Sequence, residues 1–151
     1  MYKVINYIDC SIEQHREILR LRNLDIIRKW MVNQEIISED GHLNFVNSLR
    51  NRTDKKYYAV YKDDVLVGTY NLTQESEGVW ERGIIANPII QGKGETEKWE
   101  RQILNSLSNE GISTITAKVK QDNLRSIRYH VKMGFRETIR YNEYIHFKLT
   151  L

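Results

Sequence analysis

The sequence predicts a mixed α/β fold in a single domain that spans residues 1–151. Three observations lead to this class: apolar residues at helical spacing in the first third of the chain, strand-like alternation from Tyr57 onward, and one strand–loop–helix–strand unit that begins at Val79. A chain of 151 residues with 40% apolar residues is large enough to bury one hydrophobic core. We therefore expect a central, mixed but largely antiparallel sheet with helices packed against it.

The first third of the chain predicts one strand followed by three helical pieces. Residues 3–8 alternate loosely as a strand, and residues 11–23 begin with a capping-box pattern and continue with apolar residues on one helix face. The next two helical pieces cover residues 24–32 and 39–49. Helices placed ahead of the sheet suggest one wall of a site, while a plain packing role is an equally good interpretation of each residue.

The rest of the chain predicts strands joined by two further helices. The predicted strands are residues 57–61, 65–72, 79–86, 115–119, 135–140 and 144–151. The first two form a hairpin around a turn at residues 62–64. A helix from the glycine loop to Gly111 joins the third and fourth strands, which are therefore parallel partners. Asn123 begins a last helix that ends at Gly134, before the closing hairpin.

Net charge and cysteine content limit the possible partners. The 23 basic and 20 acidic residues give a net charge of +3 and are spread along the chain without a basic run, so nucleic acid is not an expected partner. No apolar run approaches the roughly 20 residues that a bilayer requires, so no membrane partner is expected. Cys10 is the only cysteine, which fits a reducing compartment and excludes a disulfide framework or a cysteine-rich metal site. We expect a cytoplasmic monomer or homodimer without metal.

The segment from Gly83 to Gly94 predicts an anion-binding loop at the start of a helix. An apolar strand stops at Pro88, the only proline, and a lysine between two glycines precedes residues at helical spacing. The first N–H groups of a helix lack intrahelical partners, and glycine lets a phosphate come close to the backbone. The same pattern is typical of a tight strand-to-helix turn without a ligand, so the loop alone leaves both interpretations open.

Two motifs resemble the GNAT superfamily of N-acetyltransferases. Residues 91–96, Gln-Gly-Lys-Gly-Glu-Thr, resemble its acyl-CoA pyrophosphate loop, Arg/Gln-x-x-Gly-x-Gly/Ala, and residues 123–135 resemble its second signature, Asn-x-x-Ala/Ser-Ile-x-x-Tyr-x-Lys-x-Gly-Phe. The motifs lie at the family's separation, and the order of predicted elements matches its fold along nearly the whole chain. The resemblance implies a GNAT-type fold with acetyl-CoA as co-substrate. By this resemblance, the cofactor-binding residues are Ile84, Ile85, Ala86, Gln91, Gly92, Lys93, Gly94, Glu95, Thr96, Asn123, Ser126 and Lys132.

Some positions depart from the family patterns. Thr96 stands where the loop pattern has Gly or Ala, although its N–H and hydroxyl remain donors to a phosphate. Glu95 and Glu97 oppose a diphosphate, so we expect them to point away from it. The family tyrosine that protonates the departing CoA thiolate aligns with His130, and Tyr129 stands one position earlier. Because helix neighbours lie about 100° apart, only one of them faces the thioester. Alignment favours His130, and a histidine without a proton-transfer role is the alternative.

The mechanism that the resemblance implies is direct attack of an amine on the acetyl carbonyl. A backbone N–H of residues 84–86 would stabilise the oxyanion, and the same strand would pair with the amides of pantetheine. Most of the rate gain would come from holding amine and thioester together. We assign Glu81 as the general base, with His42 in reserve. A solvated or ion-paired surface glutamate is the competing interpretation of Glu81.

The acceptor must be recognised by the front of the chain. Residues 22–45 resemble the branch of the superfamily that acetylates nucleotide-linked amino sugars in pseudaminic acid synthesis. By this resemblance, the candidate acceptor-binding residues are Arg22 and Arg28 for a nucleotide diphosphate, Trp30 and Trp80 for stacking on a ring, and His42. Structural packing or a solvated charge is the competing interpretation of each.

Three functions therefore stay open from the sequence. The favoured one is transfer of an acetyl group from acetyl-CoA to the primary amine of a nucleotide-linked amino sugar. The second is acetylation of a protein N-terminus or another small amine. The third is an acyl-CoA-binding module without turnover, for which the departures at Thr96 and His130 are the arguments.

Overall fold

The computed structural model describes residues 1–151 and contains seven strands and five α-helices. The strands are β1 (Lys3–Asn6), β2 (Lys55–Lys62), β3 (Val65–Ser76), β4 (Val79–Ala86), β5 (Thr114–Lys120), β6 (Arg136–Tyr141) and β7 (Tyr144–Thr150). The α-helices are α1 (Ile12–Arg22), α2 (Asp25–Arg28), α3 (Glu39–Leu49), α4 (Glu95–Leu107) and α5 (Leu124–Met133). Short 3-10 helices lie at Tyr7–Asp9, Pro88–Ile90 and Ser108–Glu110.

All seven strands belong to one sheet, in the order β1-β2-β3-β4-β5-β7-β6. Every neighbouring pair is antiparallel except β4 and β5, which are parallel and connected through α4. The predicted mixed, largely antiparallel sheet flanked by helices is confirmed. No helix has the length and apolar character needed to cross a bilayer.

Two predicted boundaries at the front of the chain are wrong. The first strand ends at Asn6, because the Asn6 side chain accepts a hydrogen bond from the Ile8 N–H (3.1 Å) and the chain turns into a 3-10 helix. The second helix covers only Asp25–Arg28, and residues 29–38 form an irregular segment. The side chain of the last residue of α2 donates to the Gln34 carbonyl (2.9 Å), which holds this segment against the helix.

Local sequence explains where the longer helices begin. Ser11 and Gln14 form both hydrogen bonds of the predicted capping box at the start of α1. Asn123 caps α5, because its side chain accepts a hydrogen bond from the Ser126 N–H (3.2 Å). α4 differs from both, since Gly94 stands at its N-cap position and no side chain caps the helix. Its first N–H groups are therefore free for a ligand.

The two faces of the sheet bury separate cores. On one face, α4 and α5 pack around buried residues that include Trp99 and Phe147. On the other face, α1 and α3 pack around residues that include Ile18 and Ala59. We call these the α4/α5 face and the α1/α3 face.

Candidate functional site

The sheet opens between β4 and β5, and the predicted cofactor strand lies at this opening. β4 and β5 pair only where residues 79–81 meet residues 114–116. Beyond this short ladder, β4 continues to Ala86 and β5 continues to Lys120 without pairing to each other. The edge of β4 at residues 84–86 therefore has no strand partner on the β5 side, which suits an extended ligand that pairs with a strand edge.

The glycine loop lies at the end of β4 and presents an open backbone surface. Gly92 has a φ of +81° and Gly94 a φ of +71°, which glycine adopts without strain. No atom lies within 4 Å of the position that a Cβ would take at either residue. Because α4 begins directly after Gly94 without a cap, this surface offers an anion free N–H donors and the positive end of a helix dipole.

Three side chains extend the loop surface. Lys93 is exposed and forms no ion pair, and Thr96 is half-buried in the first turn of α4. The amide oxygen of Gln91 accepts a hydrogen bond from the guanidinium of Arg125, in the first turn of α5. Arg125 was missed as a site residue. Only its place two residues after Asn123 of the second motif could have indicated it.

The two glutamates at the start of α4 are paired with neighbouring cations. Glu95 lies 3.3 Å from the ammonium of Lys62. Glu97 accepts a hydrogen bond from Arg101 (2.9 Å) and lies 3.1 Å from the ammonium of Lys132, and these two cations lower the pKa of Glu97. Neither carboxylate therefore opposes a diphosphate as an unpaired charge, and Lys132 directs its ammonium to Glu97.

His130 lies in the core, where its two nitrogens are both occupied. The side chain is 2% exposed and stacks on Phe147. Nδ1 lies 2.7 Å from the carbonyl oxygen of Ser126, and Nε2 lies 2.8 Å from the guanidinium of Arg82. Because a guanidinium only donates, Nε2 accepts and the proton sits on Nδ1. Burial, aided by the Arg82 charge, lowers the pKa of His130 to about 4. These contacts favour a neutral ring whose one proton is donated to the Ser126 carbonyl, so they support the alternative of a histidine without a proton-transfer role, and the role of His130 as an acid stays a prediction.

Glu100 and four residues around it form a buried hydrogen-bond network. The Glu100 carboxylate is 0% exposed and accepts hydrogen bonds from Arg82 (2.7 and 2.9 Å), Tyr70 (2.7 Å) and Tyr129 (2.9 Å). Arg82 in turn donates to His130. We call Tyr70, Arg82, Glu100, Tyr129 and His130 the buried network. Burial and the nearby Glu100 carboxylate raise the pKa of Tyr129.

On the α1/α3 face, a row of residues leads to the point where β4 and β5 separate. Tyr57, Asn71 and Gly83 are direct neighbours across β2, β3 and β4. The Asn71 carboxamide packs against Gly83, where a Cβ would overlap it. Glu81 lies two residues before Gly83 on the same face, half-exposed, with its carboxylate 3.5 Å from the ammonium of Lys118. We call Tyr57, Asn71, Glu81, Gly83 and Lys118 the acceptor row.

The two arginines predicted to meet a diphosphate are used within the fold. Arg22 donates to the carbonyl of Asn33 (2.7 Å), and Arg28 donates to the carbonyl of Gln34 (2.9 Å). Both carbonyls belong to the irregular segment 29–38, which these arginines hold in place. Their main contacts are therefore structural ones.

The remaining acceptor candidates differ in exposure. Trp30 is half-buried, with the ammonium of Lys29 4.9 Å from its ring, and stays a candidate. Trp80 is 6% exposed in the core of the α4/α5 face, so it does not reach the acceptor row on the opposite face. His42 is 7% exposed, and its Nε2 lies 3.0 Å from Nδ1 of His15. Burial lowers the pKa of His42 to about 4. Their burial favours the competing interpretation of structural packing for Trp80 and His42, and acceptor binding by either residue stays a prediction.

The chain matches the acetyltransferase (GNAT) family over residues 22–135. Two curated relatives, both acetyltransferase PseH of Campylobacter jejuni, are 26% identical to the chain over 140 and 135 residues, which is 89% of this chain and 85% of each relative. The crystal structure of C. jejuni N-acetyltransferase PseH in complex with acetyl coenzyme A has a TM-score of 0.77 at 19% identity, with 99% of both chains covered. Spermidine N-acetyltransferase from Vibrio cholerae, in complex with CoA and spermine, has a TM-score of 0.87 at 18% identity, with 99% of this chain and 95% of that chain covered.

At these identities, the two solved structures establish the fold. The family match adds to them, because it spans most of the chain and includes both sequence motifs, the opening between β4 and β5, and the uncapped start of α4. The chain belongs to the GNAT family of acetyltransferases and is an N-acetyltransferase.

Proposed function

We propose that this N-acetyltransferase moves the acetyl group of acetyl-CoA to the primary amine of a nucleotide-linked amino sugar. The observation that carries the proposal is that the acceptor row and the glycine loop lie at the two ends of the unpaired part of β4. The acceptor row ends where β4 and β5 separate, and the glycine loop lies at the far end of the same β4 strand. Acetyl-CoA then enters from the loop, and the amine approaches from the α1/α3 face.

The reaction that this arrangement supports is a direct displacement. The amine nitrogen attacks the thioester carbonyl carbon, a C–N bond forms, and a backbone N–H of residues 84–86 stabilises the resulting oxyanion. Collapse of the tetrahedral intermediate breaks the C–S bond and releases the CoA thiolate. Glu81 accepts the proton of the amine directly or through a water. The thiolate takes its proton from water, because the polar atoms of Tyr129 and His130 are engaged in the buried network.

A basic groove favours an anionic acceptor. The groove has a volume of about 420 Å³ and lies where β2 begins, beside the end of α3. Its lining residues are Asn6, Ile8, Leu49, Arg50, Arg52, Thr53, Lys55, Lys56, Tyr57 and Tyr58. Four of these ten residues are basic and none is acidic. Arg50 and Lys55 form no ion pair, so their charges are free to meet a phosphate.

The basic groove lies within reach of the transfer point. Tyr57 lines the groove and also belongs to the acceptor row, and it is separated from Gly83 by two strand spacings, about 10 Å. A diphosphate in the groove with its sugar on the acceptor row spans this distance. A polyamine would instead meet Arg50 and Lys55 as like charges. The similarity to the two PseH proteins supports the same acceptor class.

The test is acetyl-CoA-dependent thiol release with UDP- and dTDP-linked amino sugars, the same sugars without nucleotide, spermidine, N-terminal peptides and aminoglycosides. We expect a nucleotide-linked sugar to be the best acceptor. The double variant Arg50→Ala/Lys55→Ala should raise KM for that acceptor about tenfold. KM for the free sugar should stay unchanged, which makes the free sugar the matched control.

Two other outcomes would decide against the proposal. Preferential turnover of spermidine or of a peptide would assign the acceptor to another class of amine. Tight acetyl-CoA binding without turnover of any acceptor would favour the non-catalytic module.

A further inference from the structure

We propose that Glu100 and Tyr129 form a latch that positions α5 for acetyl transfer. The proposal rests on the use of acetyl-CoA in the proposed function and is independent of the acceptor class. Neither residue belongs to the two sequence motifs as a matched position. Both act through the helix that they hold, so they are positioning residues and not catalytic ones.

The latch joins two helices that otherwise stay apart. α4 follows β4, α5 follows β5, and both cover the α4/α5 face without close backbone packing between them. Their polar side-chain links are the partly buried hydrogen bond from Tyr129 to Glu100 (2.9 Å) and the surface pair of Lys132 with Glu97 (3.1 Å). The space between these helices leads from the glycine loop toward the opening of the sheet.

The position of the latch along α4 can be compared with the path that we propose for the cofactor. A helix rises 1.5 Å per residue, so Glu100 lies about 8 Å along α4 from its first residue, Glu95. That distance is well short of the reach of a pantetheine arm that extends from the loop into the opening. In the proposed binding mode, the Tyr129–Glu100 bond thus lies at a depth along α4 that the pantetheine arm passes.

The buried network keeps the Glu100 carboxylate from turning. Arg82 of β4 donates to both of its oxygens (2.7 and 2.9 Å), and Tyr70 of β3 donates to one of them (2.7 Å). Arg82 also donates to His130 (2.8 Å), the residue next to Tyr129. Two consecutive residues of α5 are thus tied to α4 and to β4, which fixes the height and the rotation of α5 beside the opening.

A fixed α5 lowers the cost of binding acetyl-CoA. A ligand that must order a mobile helix loses affinity in proportion to the ordering. A hydrogen bond to a buried charged group contributes enough that its loss changes an equilibrium constant about tenfold. Loss of the latch should therefore weaken acetyl-CoA binding, because the free protein would no longer hold α5 in place.

The network offers a matched pair of variants for the test. Tyr129→Phe removes one phenol bond to Glu100 from the α5 side, and Tyr70→Phe removes one phenol bond to Glu100 from the sheet side. Acetyl-CoA binding to the full chain is measured by isothermal titration calorimetry, and stability by urea denaturation. We expect similar losses of stability, about tenfold weaker acetyl-CoA binding for Tyr129→Phe, and less than a twofold change for Tyr70→Phe. Equal effects on binding in the two variants, or none in Tyr129→Phe, would overturn the latch.

Hydrogen exchange of the wild type provides a test that needs no variant. If the latch holds α5 before binding, the amides of residues 124–133 should be protected in the free protein and gain less than twofold protection from acetyl-CoA. A gain of tenfold or more confined to α5 would contradict the proposal, because the helix would then be ordered by the ligand. Failure of the wild type to bind acetyl-CoA would overturn the proposed function together with the latch, whereas equal affinity in wild type and Tyr129→Phe would overturn the latch alone.

Discussion

The two faces of the sheet hold their buried polar groups in different ways. On the α4/α5 face, Arg82 and Glu100 form an ion pair whose side chains are 2% and 0% exposed. On the α1/α3 face, His15 and His42 form a pair with both pKa values lowered by burial, and Tyr7 packs against both rings. The buried polar groups of the α4/α5 face are therefore a charged pair, and those of the α1/α3 face are uncharged rings.

The difference between the faces fits the ligand that we propose for each of them. The α4/α5 face, which borders the proposed acetyl-CoA channel, contains the fully buried ion pair, and the Glu100 carboxylate accepts hydrogen bonds from three other elements. The acceptor face keeps its charges at the surface, where Glu81 and Lys118 are each more than a third exposed. In the proposed function, acetyl-CoA therefore lies beside a face with a buried ion pair, and the acceptor lies beside charged residues that water still reaches.

The largest expected effect comes from breaking the buried ion pair. Arg82→Met leaves the Glu100 carboxylate buried without its cation, so we expect the free energy of unfolding to fall by about 3–5 kcal/mol. The double variant Arg82→Met/Glu100→Met removes both charges and should recover most of this loss, since apolar residues of similar volume often replace a buried pair at little cost. Urea denaturation followed by tryptophan fluorescence measures all of these values.

An exposed arginine–glutamate pair on the other side of the sheet supplies the control. Arg16 and Glu39 lie 2.7 Å apart with side chains 54% and 46% exposed. Arg16→Met should lower the free energy of unfolding far less than Arg82→Met does, because solvent screens the exposed pair. Equal losses for Arg16→Met and Arg82→Met would contradict the contrast between the two faces.

The second effect tests the acceptor face through its proposed base. Glu81→Gln keeps the shape of the side chain and removes the proton acceptor, so we expect kcat to fall about a hundredfold. Affinity for acetyl-CoA should stay unchanged, because the carboxylate lies on the opposite face from the channel. Steady-state kinetics with the best acceptor measures the first quantity and calorimetry the second. Glu75→Gln, at an exposed carboxylate that contacts Thr116, is the control. A fall in kcat of less than threefold for Glu81→Gln would mean that water, and not Glu81, deprotonates the amine.

The shape of the glycine loop could be predicted because it depends on neighbouring residues. Gly92 and Gly94 have positive φ values and precede an uncapped helix start, and glycine positions and helix starts can be read from neighbouring residues. The parallel strands followed from the connecting helix in the same way. Their early separation after residue 81, which creates the opening, was implied only by the family resemblance.

The acceptor half could not be predicted to the same depth, because residue type does not give burial. His42 and Trp80 are chemically suited to a site, yet both lie in a core. His130 has the right alignment for an acid, but burial and the charge of Arg82, which stands 48 residues earlier in the chain, both favour its neutral form. Arg82 lies on a strand and Glu100 on a helix. The hydrophobic periodicity of these two elements does not reveal that either charged side chain is buried.

The third effect compares the two faces by pH. The pKa of His130 and that of His42 are each lowered to about 4 in the folded chain, from about 6.5 when unfolded. Their contribution to stability is therefore complete above pH 6.5 and is lost as the pH falls toward 4, because only the unfolded chain takes up the protons. Between pH 7 and pH 5 we expect a loss of about 2 kcal/mol per histidine.

Substitutions assign this loss to each face. Urea denaturation at both pH values should show a smaller difference for His130→Gln and for His42→Gln than for the wild type, by about 2 kcal/mol each. His146→Gln controls for the removal of a histidine as such. An unchanged difference in either variant would show that its histidine is protonated in the folded protein and that the corresponding cluster is not neutral.

The smallest expected effect concerns the one cation of the glycine loop. Lys93 is exposed and unpaired, so its attraction for a diphosphate is screened by water and salt. Lys93→Met should weaken acetyl-CoA binding about threefold to fivefold at low ionic strength, and the difference should vanish near 1 M salt, where the screening length falls to about 3 Å. Lys98 is an exposed lysine on α4, five residues after Lys93. Lys98→Met is the matched control and should leave acetyl-CoA binding unchanged.

The size of the Lys93 effect decides how the cofactor face recognises its ligand. A few-fold loss means that the free N–H groups after Gly94 supply most of the binding energy, in keeping with a rigid wall built from backbone. A loss above thirtyfold that persists in high salt would mean that a flexible surface side chain dominates. Recognition at the glycine loop would then depend on an exposed charge, as we propose for the acceptor face. The two faces would differ in their buried polar groups but not in how they recognise their ligands.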